Sequence, residues 1–280
     1  MKRECGMYTW FGYVRSFEEK MRLMRDAGFT TICTWLDDTF AGIDGTRSEQ
    51  VELARRYGMF IEHAHIPYYG TDSLWMDDEK AAEEFIAKAL EGIELAEAME
   101  VPTLVIHPYE EHGEQRGSEE LFWQRKRRIG RHCHAHNVRL AIENLDDTAR
   151  LIRLADQLID DNSSVGVCFD SGHANVSNPG DFSMLTHYKE RVFALHLHDN
   201  DAMDDQHLMP FTQGCNVDWS AFMRALETTG FEGSLMLESC YPFDFAAFDK
   251  EDHGEAPEPD ITPEEYLAQS FAACQRIQAC

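Results

Sequence analysis

Residues 138–170 read VRLAIENLDDTARLIRLADQLIDDNSSVGVCFD and hold two short apolar runs on either side of a longer amphipathic run. The runs at 138–143 and 165–170 have the length and apolar content of buried strands. The run at 146–160 repeats apolar residues at the spacing of a helix that packs one face against a core. A strand, a helix and a second strand in this order predict a β–α–β unit with parallel strands.

The same alternation of strand and helix continues along the 280 residues of the chain. Eight candidate strands lie at 4–10, 29–35, 59–65, 102–107, 138–143, 165–170, 192–197 and 233–238. Eight successive β–α units predict an α/β fold of the (β/α)8 TIM-barrel type. A doubly wound open sheet is the alternative, but the glycine pattern that such sheets often carry after their first strand is missing. No linker or low-complexity tract interrupts residues 1–280, which predicts a single domain.

The charge balance limits the class of partner. The chain has 25 Lys and Arg residues against 51 Asp and Glu residues, a net charge of −26 at pH 7. Duplex DNA, RNA and anionic membranes are themselves negative, so none of them is expected as the main partner. The chain has no apolar run of membrane-spanning length and no signal-peptide segment in MKRECGMYTW, so a cytoplasmic protein is expected. The eight cysteines are scattered without a CxxC pair and are expected to be thiols.

Six successive candidate strands end in a residue that can bind a proton or a metal ion. These residues are His65, His107, Glu143, Asp170, His196 and Glu238. Because the carboxyl ends of barrel strands form one mouth, these side chains are expected at one height. Three carboxylates pointing into one mouth would repel each other unless a cation neutralised them. The predicted ligands of a divalent metal ion are therefore Glu143, Asp170, His196 and Glu238.

The donor set indicates which ions fit this site. It is rich in oxygen, contains one imidazole and lacks cysteine, which disfavours a structural zinc site. Mn²⁺ is the ion expected first, and Mg²⁺, Co²⁺ and Zn²⁺ are the alternatives.

In these strand-end motifs the chain resembles the xylose isomerase-like TIM barrels, a superfamily of sugar isomerases and epimerases that also includes apurinic-site nucleases of the endonuclease IV type. The resemblance runs from the first strand to the eighth and rests on HIPY (65–68), HP (107–108), IEN (142–144), FDSGH (169–173), HLHDND (196–201), DQHLMPF (205–211), VDW (217–219) and LES (237–239). It implies that the four predicted ligands bind a catalytic metal ion. In the nuclease branch, the positions that match five further residues hold additional zinc ions. These five, assigned to substrate binding or to additional metal, are His65, His107, His173, Asp205 and His207.

Three features favour the sugar branch over the nuclease branch. The net charge opposes binding of a DNA duplex, and LDDTFAGID at 36–44 is acidic where a loop that faces DNA needs Arg or Lys. The segment LMPFTQGCNVDW at 208–219 resembles the corresponding loop of sugar isomerases more than that of the nucleases. The basic cluster RKRRIGR at 125–131 falls on the helix after the fourth strand and is interpreted as a solvated helix face.

A metal centre flanked by carboxylates suits sugar isomerisation or epimerisation. A divalent ion chelated by a carbonyl and its neighbouring hydroxyl stabilises the enediolate that forms when the proton between them is removed. Glu143 and Glu238 are the predicted pair that takes and returns this proton. His65 and His173 are expected to bind substrate hydroxyls. Because no GxxxxGK[ST] loop is found, an unphosphorylated sugar or polyol is expected.

The sequence leaves the reaction open in several respects. Ketose 3-epimerases that resemble this chain have Glu and Arg where this chain has Ala149 and Ala202. Inosose-type, hydroxypyruvate-type and other polyol substrates therefore stay open, as does dehydration. The alternatives from other classes are an endonuclease IV-like phosphodiesterase with up to three zinc ions and a non-catalytic sugar-binding barrel. Members of the family often dimerise or tetramerise, so a homo-oligomer also stays open.

Further histidines and one long segment have simpler interpretations. His63 and His198 neighbour His65 and His196 in their strands and are predicted to face the surrounding helices. In HCHAH at 132–136, two histidines one helical turn apart could bind a metal ion, but a favourable interaction with the helix C terminus is the simpler interpretation. The segment 239–262 follows the eighth strand and is expected to be a lid over the mouth, a subunit contact or a surface loop.

Overall fold

Eight parallel strands form the centre of the protein. The computed structural model describes residues 2–36, 38, 41–110, 117–145, 147–159, 164–241 and 260–280. The strands are β1 (Cys5–Tyr8), β2 (Thr31–Trp35), β3 (Phe60–His65), β4 (Thr103–Ile106), β5 (Arg139–Glu143), β6 (Val165–Asp170), β7 (Val192–His196) and β8 (Leu235–Leu237). Each of the eight predicted strands is confirmed, and most are shorter at their ends than predicted.

The strands follow one another around the barrel in chain order. Each strand from β1 to β6 pairs in parallel with the next one, and β1 also pairs in parallel with β8. A parallel bridge between Leu197 and Leu237 joins the end of β7 to β8. There the Leu197 N–H donates to the Met236 carbonyl and the Glu238 N–H donates to the Leu197 carbonyl, at 2.9 Å and 3.0 Å. The predicted TIM barrel is therefore confirmed, and the doubly wound open sheet is excluded.

Helices cover the outside of this barrel. Those in the described residues are α1 (Phe17–Ala27), α2 (Ala41–Asp44), α3 (Arg47–Arg56), α4 (Glu79–Ala98), α5 (Glu119–Ala135), α6 (Thr148–Ile159), α7 (Ser171–Ser177), α8 (Ser183–Tyr188), α9 (Trp219–Leu226) and α10 (Pro263–Gln278). Side-chain caps set several ends: Thr46 and Thr262 form capping boxes at the starts of α3 and α10. Within the described ranges, none of these helices combines the length and the apolar character that crossing a bilayer requires. All eight cysteines are described and are free thiols, as expected.

The basic cluster at 125–131 is not a solvated face throughout. Arg125 and Lys126 are buried, because α5 packs them against the chain. The Arg125 guanidinium donates to three backbone carbonyls of the 73–76 turn and pairs with Glu79 at 2.7 Å. Lys126 Nζ donates to the carbonyl of His107 at 2.9 Å. These two charges thus bind the protein's own backbone, and the prediction of a solvated face was wrong for them.

The core between β6 and the outer helices depends on Phe222, which is fully buried in α9. Its ring lies 5.9 Å from Phe169, 6.0 Å from Phe182 and 5.7 Å from Trp219, between ring centroids. We expect Phe222→Ala to lower the free energy of unfolding by about 3–5 kcal/mol, because it leaves a cavity among these rings. Urea unfolding at equilibrium measures this change. Phe60→Ala, at a position that is 50% exposed, is the control, and an equal loss in both variants would contradict this packing.

Candidate metal centre

The six residues predicted at the strand ends meet at the carboxyl end of the barrel. The parallel strands carry them there because every strand runs in the same direction around the barrel. Five of the six are buried, and the sixth, Glu238, has a side chain that is 11% exposed. The site therefore combines buried charge with one carboxylate that solvent can reach.

Glu143 is the centre of this group. Its Oε2 lies 3.2 Å from Nε2 of His65 and 3.3 Å from Nε2 of His107. Its Oε1 lies 2.8 Å from Nδ1 of His196, and the same His196 nitrogen lies 2.9 Å from Oε2 of Glu238. One carboxylate thus contacts three imidazoles, and the third imidazole contacts a second carboxylate.

A second cluster lies beside the first and is centred on Asp205. Oδ2 of this carboxylate lies 3.1 Å from Nε2 of His173 and 3.0 Å from Nε2 of His207. Nδ1 of His173 also lies 3.7 Å from Oε1 of Glu143, which connects the two clusters. The sequence placed these three residues near the mouth, and the structure brings them into direct contact.

Three histidines of these clusters are oriented in the same way. Nδ1 of each lies within hydrogen-bond distance of a backbone carbonyl: His65 with Ile66 at 2.6 Å, His173 with Asn144 at 2.8 Å and His207 with Glu238 at 3.0 Å. A carbonyl only accepts, so Nδ1 carries the hydrogen in each ring. The Nε2 atoms then face carboxylate oxygens, and a neutral imidazole offers a lone pair there. Such rings, anchored through one nitrogen and aimed with the other, are typical of metal ligands.

His63 and His198 lie inside the site, so the prediction that they face the helices was wrong. Side chains two residues apart on a strand point to the same face, so a histidine that flanks His65 or His196 at this spacing points inward with it. Nε2 of His63 lies 3.2 Å from Nε2 of His196. The period of the strand could have identified both residues.

His198 links Asp170 to the second cluster. Its Nε2 lies 3.1 Å from Oδ1 of Asp170 and 3.6 Å from Oδ1 of Asp205, and its ring stacks on His207 with centroids 3.9 Å apart. Gly172 makes room for this ring, since a Cβ at that position would collide with it. The local geometry therefore requires glycine at 172 for His198 to occupy its place.

Charge within the clusters shifts the pKa values of their members. Burial opposes the ionisation of Glu143, but the adjacent His196 and His107 outweigh burial and hold the pKa of this carboxyl well below its usual range. Burial also opposes protonation of His173, yet Asp170 and Asp205 raise its pKa well above the usual value. Asp205 does the same to the pKa of His207. The carboxylates thus favour positive charge in the site, which either imidazolium or a metal ion supplies.

The residues fit a divalent metal ion. Two carboxylate oxygens in the described part of the site are buried without a hydrogen-bond partner, Oδ2 of Asp170 and Oδ1 of Asp205, while Oε2 of Glu238 shares Nδ1 of His196 with Glu143. Buried carboxylate oxygens without donors are costly unless a cation lies against them. In each of two groups of residues, the ligand atoms all lie within 4.8 Å of one another. One group is His65, His107 and Glu143, and the other is His173, His198, Asp205 and His207. Imidazole nitrogens and carboxylate oxygens together suit Mn²⁺, Co²⁺ and Zn²⁺.

Asp199 organises the loop that carries Asp205 and His207. Its carboxylate accepts four hydrogen bonds, from the backbone N–H groups of Asn200, Phe211 and Val217 and from Nε1 of Trp219. The backbone of Asp199 also exchanges hydrogen bonds with Leu208 in both directions. Sequence reasoning did not single out this residue, although an aspartate directly after a strand and a histidine is visible in HLHDND.

We expect Asp199→Ala to release this loop. Four donors would lose their acceptor, and each hydrogen bond to a charged group contributes about 1.5–3 kcal/mol. Thermal unfolding should show a larger loss of stability than in Asp201→Ala, since Asp201 Oδ1 accepts one bond, from the Met203 N–H at 2.9 Å. Equal melting temperatures for the two variants would contradict this role.

Aromatic rings form one wall of the mouth. Trp35 stacks on His65 with centroids 5.2 Å apart, and Tyr68 stacks on His107 at 5.1 Å. Tyr69, which is 67% exposed, lies at the outer edge against Tyr68. The wall thus places apolar ring surface beside the imidazoles. Of the predicted lid at 239–262, residues 242–259 lie outside the described residues.

Comparisons with known proteins agree with this fold. A model of the xylose isomerase-like TIM barrel family matches residues 21–266. The protein y4fM of Sinorhizobium fredii, itself named as uncharacterized, is 33% identical over 268 residues, which cover 83% of this chain and 85% of that protein. A D-psicose 3-epimerase structure with D-tagatose from Clostridium cellulolyticum H10 matches with a TM-score of 0.75 at 14% identity, over 99% of this chain and 98% of that chain. A 3-keto-D-glucoside 4-epimerase from E. coli matches with a TM-score of 0.72 at 14% identity, over 100% of both chains. Because the family model spans most of its length, this chain belongs to the xylose isomerase-like TIM barrel family.

Proposed function

We propose that the protein is a divalent-metal-dependent isomerase or epimerase of a small sugar or polyol. The observation that carries this proposal is the pair of carboxylates Glu143 and Glu238, which lie 2.8 Å and 2.9 Å from the same nitrogen of His196. Two carboxylates that flank one point can remove a proton from one face of a substrate and return it on the other. The proposed reaction is proton abstraction next to a carbonyl.

Glu143, Asp170, His196 and Glu238 are the proposed ligands of the catalytic ion. When bound, Mn²⁺, or alternatively Mg²⁺, Co²⁺ or Zn²⁺, supplies positive charge beside the substrate carbonyl, where negative charge develops. Glu238 is the more accessible of the two glutamates, with a side chain that is 11% exposed against 1% for Glu143. We therefore assign the first proton transfer to Glu238 and the second to Glu143.

The remaining residues of the mouth orient the substrate. His65, His107, His173, Asp205 and His207 are the proposed contacts to hydroxyl groups or to additional metal. The rings of Trp35 and Tyr68 provide an apolar surface of the kind that covers the C–H face of a sugar. Polar groups on one side and aromatic rings on the other would hold the reacting carbon at a fixed height.

Three observations support a small unphosphorylated sugar. Two structurally similar proteins are named as epimerases of small sugars, one of D-psicose and one of a 3-keto-D-glucoside. The buried bases Arg125 and Lys126 already donate to backbone carbonyls and are not free to hold a phosphate. A net charge of −26 further disfavours a phosphorylated substrate.

An endonuclease IV-like phosphodiesterase is the second candidate function. The specific observation in its favour is that two ligand groups are assembled beside the proposed catalytic site, one at His65 and His107 with Glu143, and one around Asp205. Several adjacent metal ions are typical of enzymes that cleave phosphodiesters. The same net charge that disfavours a phosphate also disfavours a DNA duplex.

One experiment separates the two candidates. The purified protein is stripped of metal, reloaded with Mn²⁺ or Zn²⁺, and assayed on ketoses, inososes and other α-hydroxycarbonyl compounds and on DNA with an abasic site. We expect metal-dependent conversion of at least one of the small compounds and no cleavage of the DNA. Cleavage of abasic DNA by a protein that carries three zinc ions, without turnover of the small compounds, would overturn the proposal.

A further inference from the structure

A separate group of imidazole and carboxylate side chains lies at the other end of the barrel. His132, in the last turn of α5, and His136, directly after it, are one helical turn apart, and their ring centroids are separated by 4.3 Å. Side chains four residues apart lie on the same face of a helix. Their exposed fractions are 26% and 25%, so both rings are accessible and both are partly held by neighbours.

The adjacent helix α4 supplies two carboxylates to this face. Oε1 of Glu94 lies 3.2 Å from Nε2 of His132, and Oε2 of Glu97 lies 2.8 Å from Nδ1 of His136. The ligand atoms of Glu94, His132 and His136 all lie within 4.8 Å of one another. Two helices therefore bring two imidazoles and the Glu94 carboxylate to one place, with the Glu97 carboxylate against His136 beside them.

The distance between Glu94 and His132 is close to the edge of a tetrahedral coordination sphere. Zinc binds histidine nitrogen and carboxylate oxygen at about 2.0–2.2 Å, which places neighbouring ligands of a tetrahedron about 3.3–3.6 Å apart. The Glu94–His132 contact of 3.2 Å is close to this spacing, whereas the Glu97–His136 contact of 2.8 Å is that of a direct hydrogen-bonded pair, which a bound ion would separate. The two carboxylates bring two negative charges, which a divalent cation neutralises.

We propose that Glu94, Glu97, His132 and His136 form a structural site for a divalent transition-metal ion, with Zn²⁺ as the expected occupant and Ni²⁺ or Cu²⁺ as further ions of suitable chemistry. The ion would join the C-terminal ends of α4 and α5. These ends precede β4 and β5, so the site lies at the amino-terminal end of the barrel, opposite the candidate metal centre. It holds the outer helices together and takes no part in the proposed reaction, on which this inference does not depend.

A matched control is available within the same helical turn. His134 lies between the two proposed ligands, and its Nδ1 contacts Oγ of Ser164 at 3.0 Å, away from α4. His134→Ala therefore removes an imidazole from the same helix end without touching the proposed site. Glu94→Gln removes one ligand charge and keeps both imidazoles, which makes it the second variant if the histidine changes impair folding.

Wild type, the His132→Ala/His136→Ala double variant and His134→Ala are dialysed against the same zinc solution. The Zn²⁺ bound per chain is then measured for each protein. Zinc at the metal centre is common to all three and cancels in the comparison. We expect wild type and His134→Ala to hold one Zn²⁺ per chain more than the double variant, and Zn²⁺ to raise the melting temperature of the first two by more. Glu94→Gln should show weaker zinc binding than wild type. Equal zinc content in wild type and the double variant, or an equal loss in His134→Ala, would overturn the proposal.

Discussion

Glu143→Gln is expected to abolish the proposed activity and to remove most of the bound metal. Glu143 contacts three imidazoles, with oxygen–nitrogen distances of 2.8 Å, 3.2 Å and 3.3 Å, and so joins His196, His65 and His107 through one carboxylate. A neutral amide has the same shape but lacks the negative charge that binds a cation. The same change also removes one of the two proposed proton carriers, which contributes about 10²–10⁴-fold to such a reaction.

Metal analysis and activity on the identified substrate together measure this effect. Glu84→Gln is the control, because Glu84 is 65% exposed and pairs with Lys80 on the surface of α4, a kind of contact that contributes little. Circular dichroism establishes that both variants are folded. A folded Glu143→Gln protein with wild-type metal content and wild-type activity would contradict the assignment of the site.

Glu238→Gln is expected to reduce turnover by about 10²–10⁴-fold while retaining more metal than Glu143→Gln. Glu238 contacts one imidazole, at 2.9 Å from His196, and is the glutamate that solvent reaches. Its loss removes the proposed first proton acceptor but leaves the three contacts of Glu143 intact. Both variants should therefore lose activity, but Glu238→Gln should bind more metal than Glu143→Gln.

The measurement is kcat at saturating metal, with the metal content of the same sample determined in parallel. Saturating metal separates the two roles of the residue, since weakened binding is then restored and a missing proton carrier is not. A metal-loaded Glu238→Gln protein that keeps full kcat would show that this carboxylate carries no proton.

The barrel and the members of its site could be predicted because both follow from the period of the strands. Eight apolar runs alternate with helical runs, and six of them end in His, Asp or Glu, from His65 to Glu238. The carboxyl ends of parallel strands meet at one face, so sequence position alone brings these residues together. The same period, applied to His63 and His198, would have placed them inside the barrel as well.

Other features depend on contacts between distant segments and leave little trace in the sequence. The short helices α2 and α7 have too few residues to show a helical period, and α7 begins where Asp170 caps it by accepting from the His173 N–H. Burial of Lys126 depends on the His107 carbonyl, 19 residues away in the chain. Asp199 likewise anchors its loop only because the fold brings the Phe211 and Val217 N–H groups and the Trp219 indole close to its carboxylate. A cytoplasmic location, a single domain and a homo-oligomer stay predictions.

Exchange of substrate hydrogen with solvent tests the proposed chemistry most directly. The metal-loaded protein is incubated in D₂O with ketoses, inososes and other α-hydroxycarbonyl compounds, and deuterium is located by NMR. We predict metal-dependent incorporation of deuterium at a carbon next to the carbonyl of at least one compound, and its loss in Glu143→Gln and Glu238→Gln. Absence of deuterium from every compound, with folded and metal-loaded wild-type protein, would contradict the proposed proton transfer.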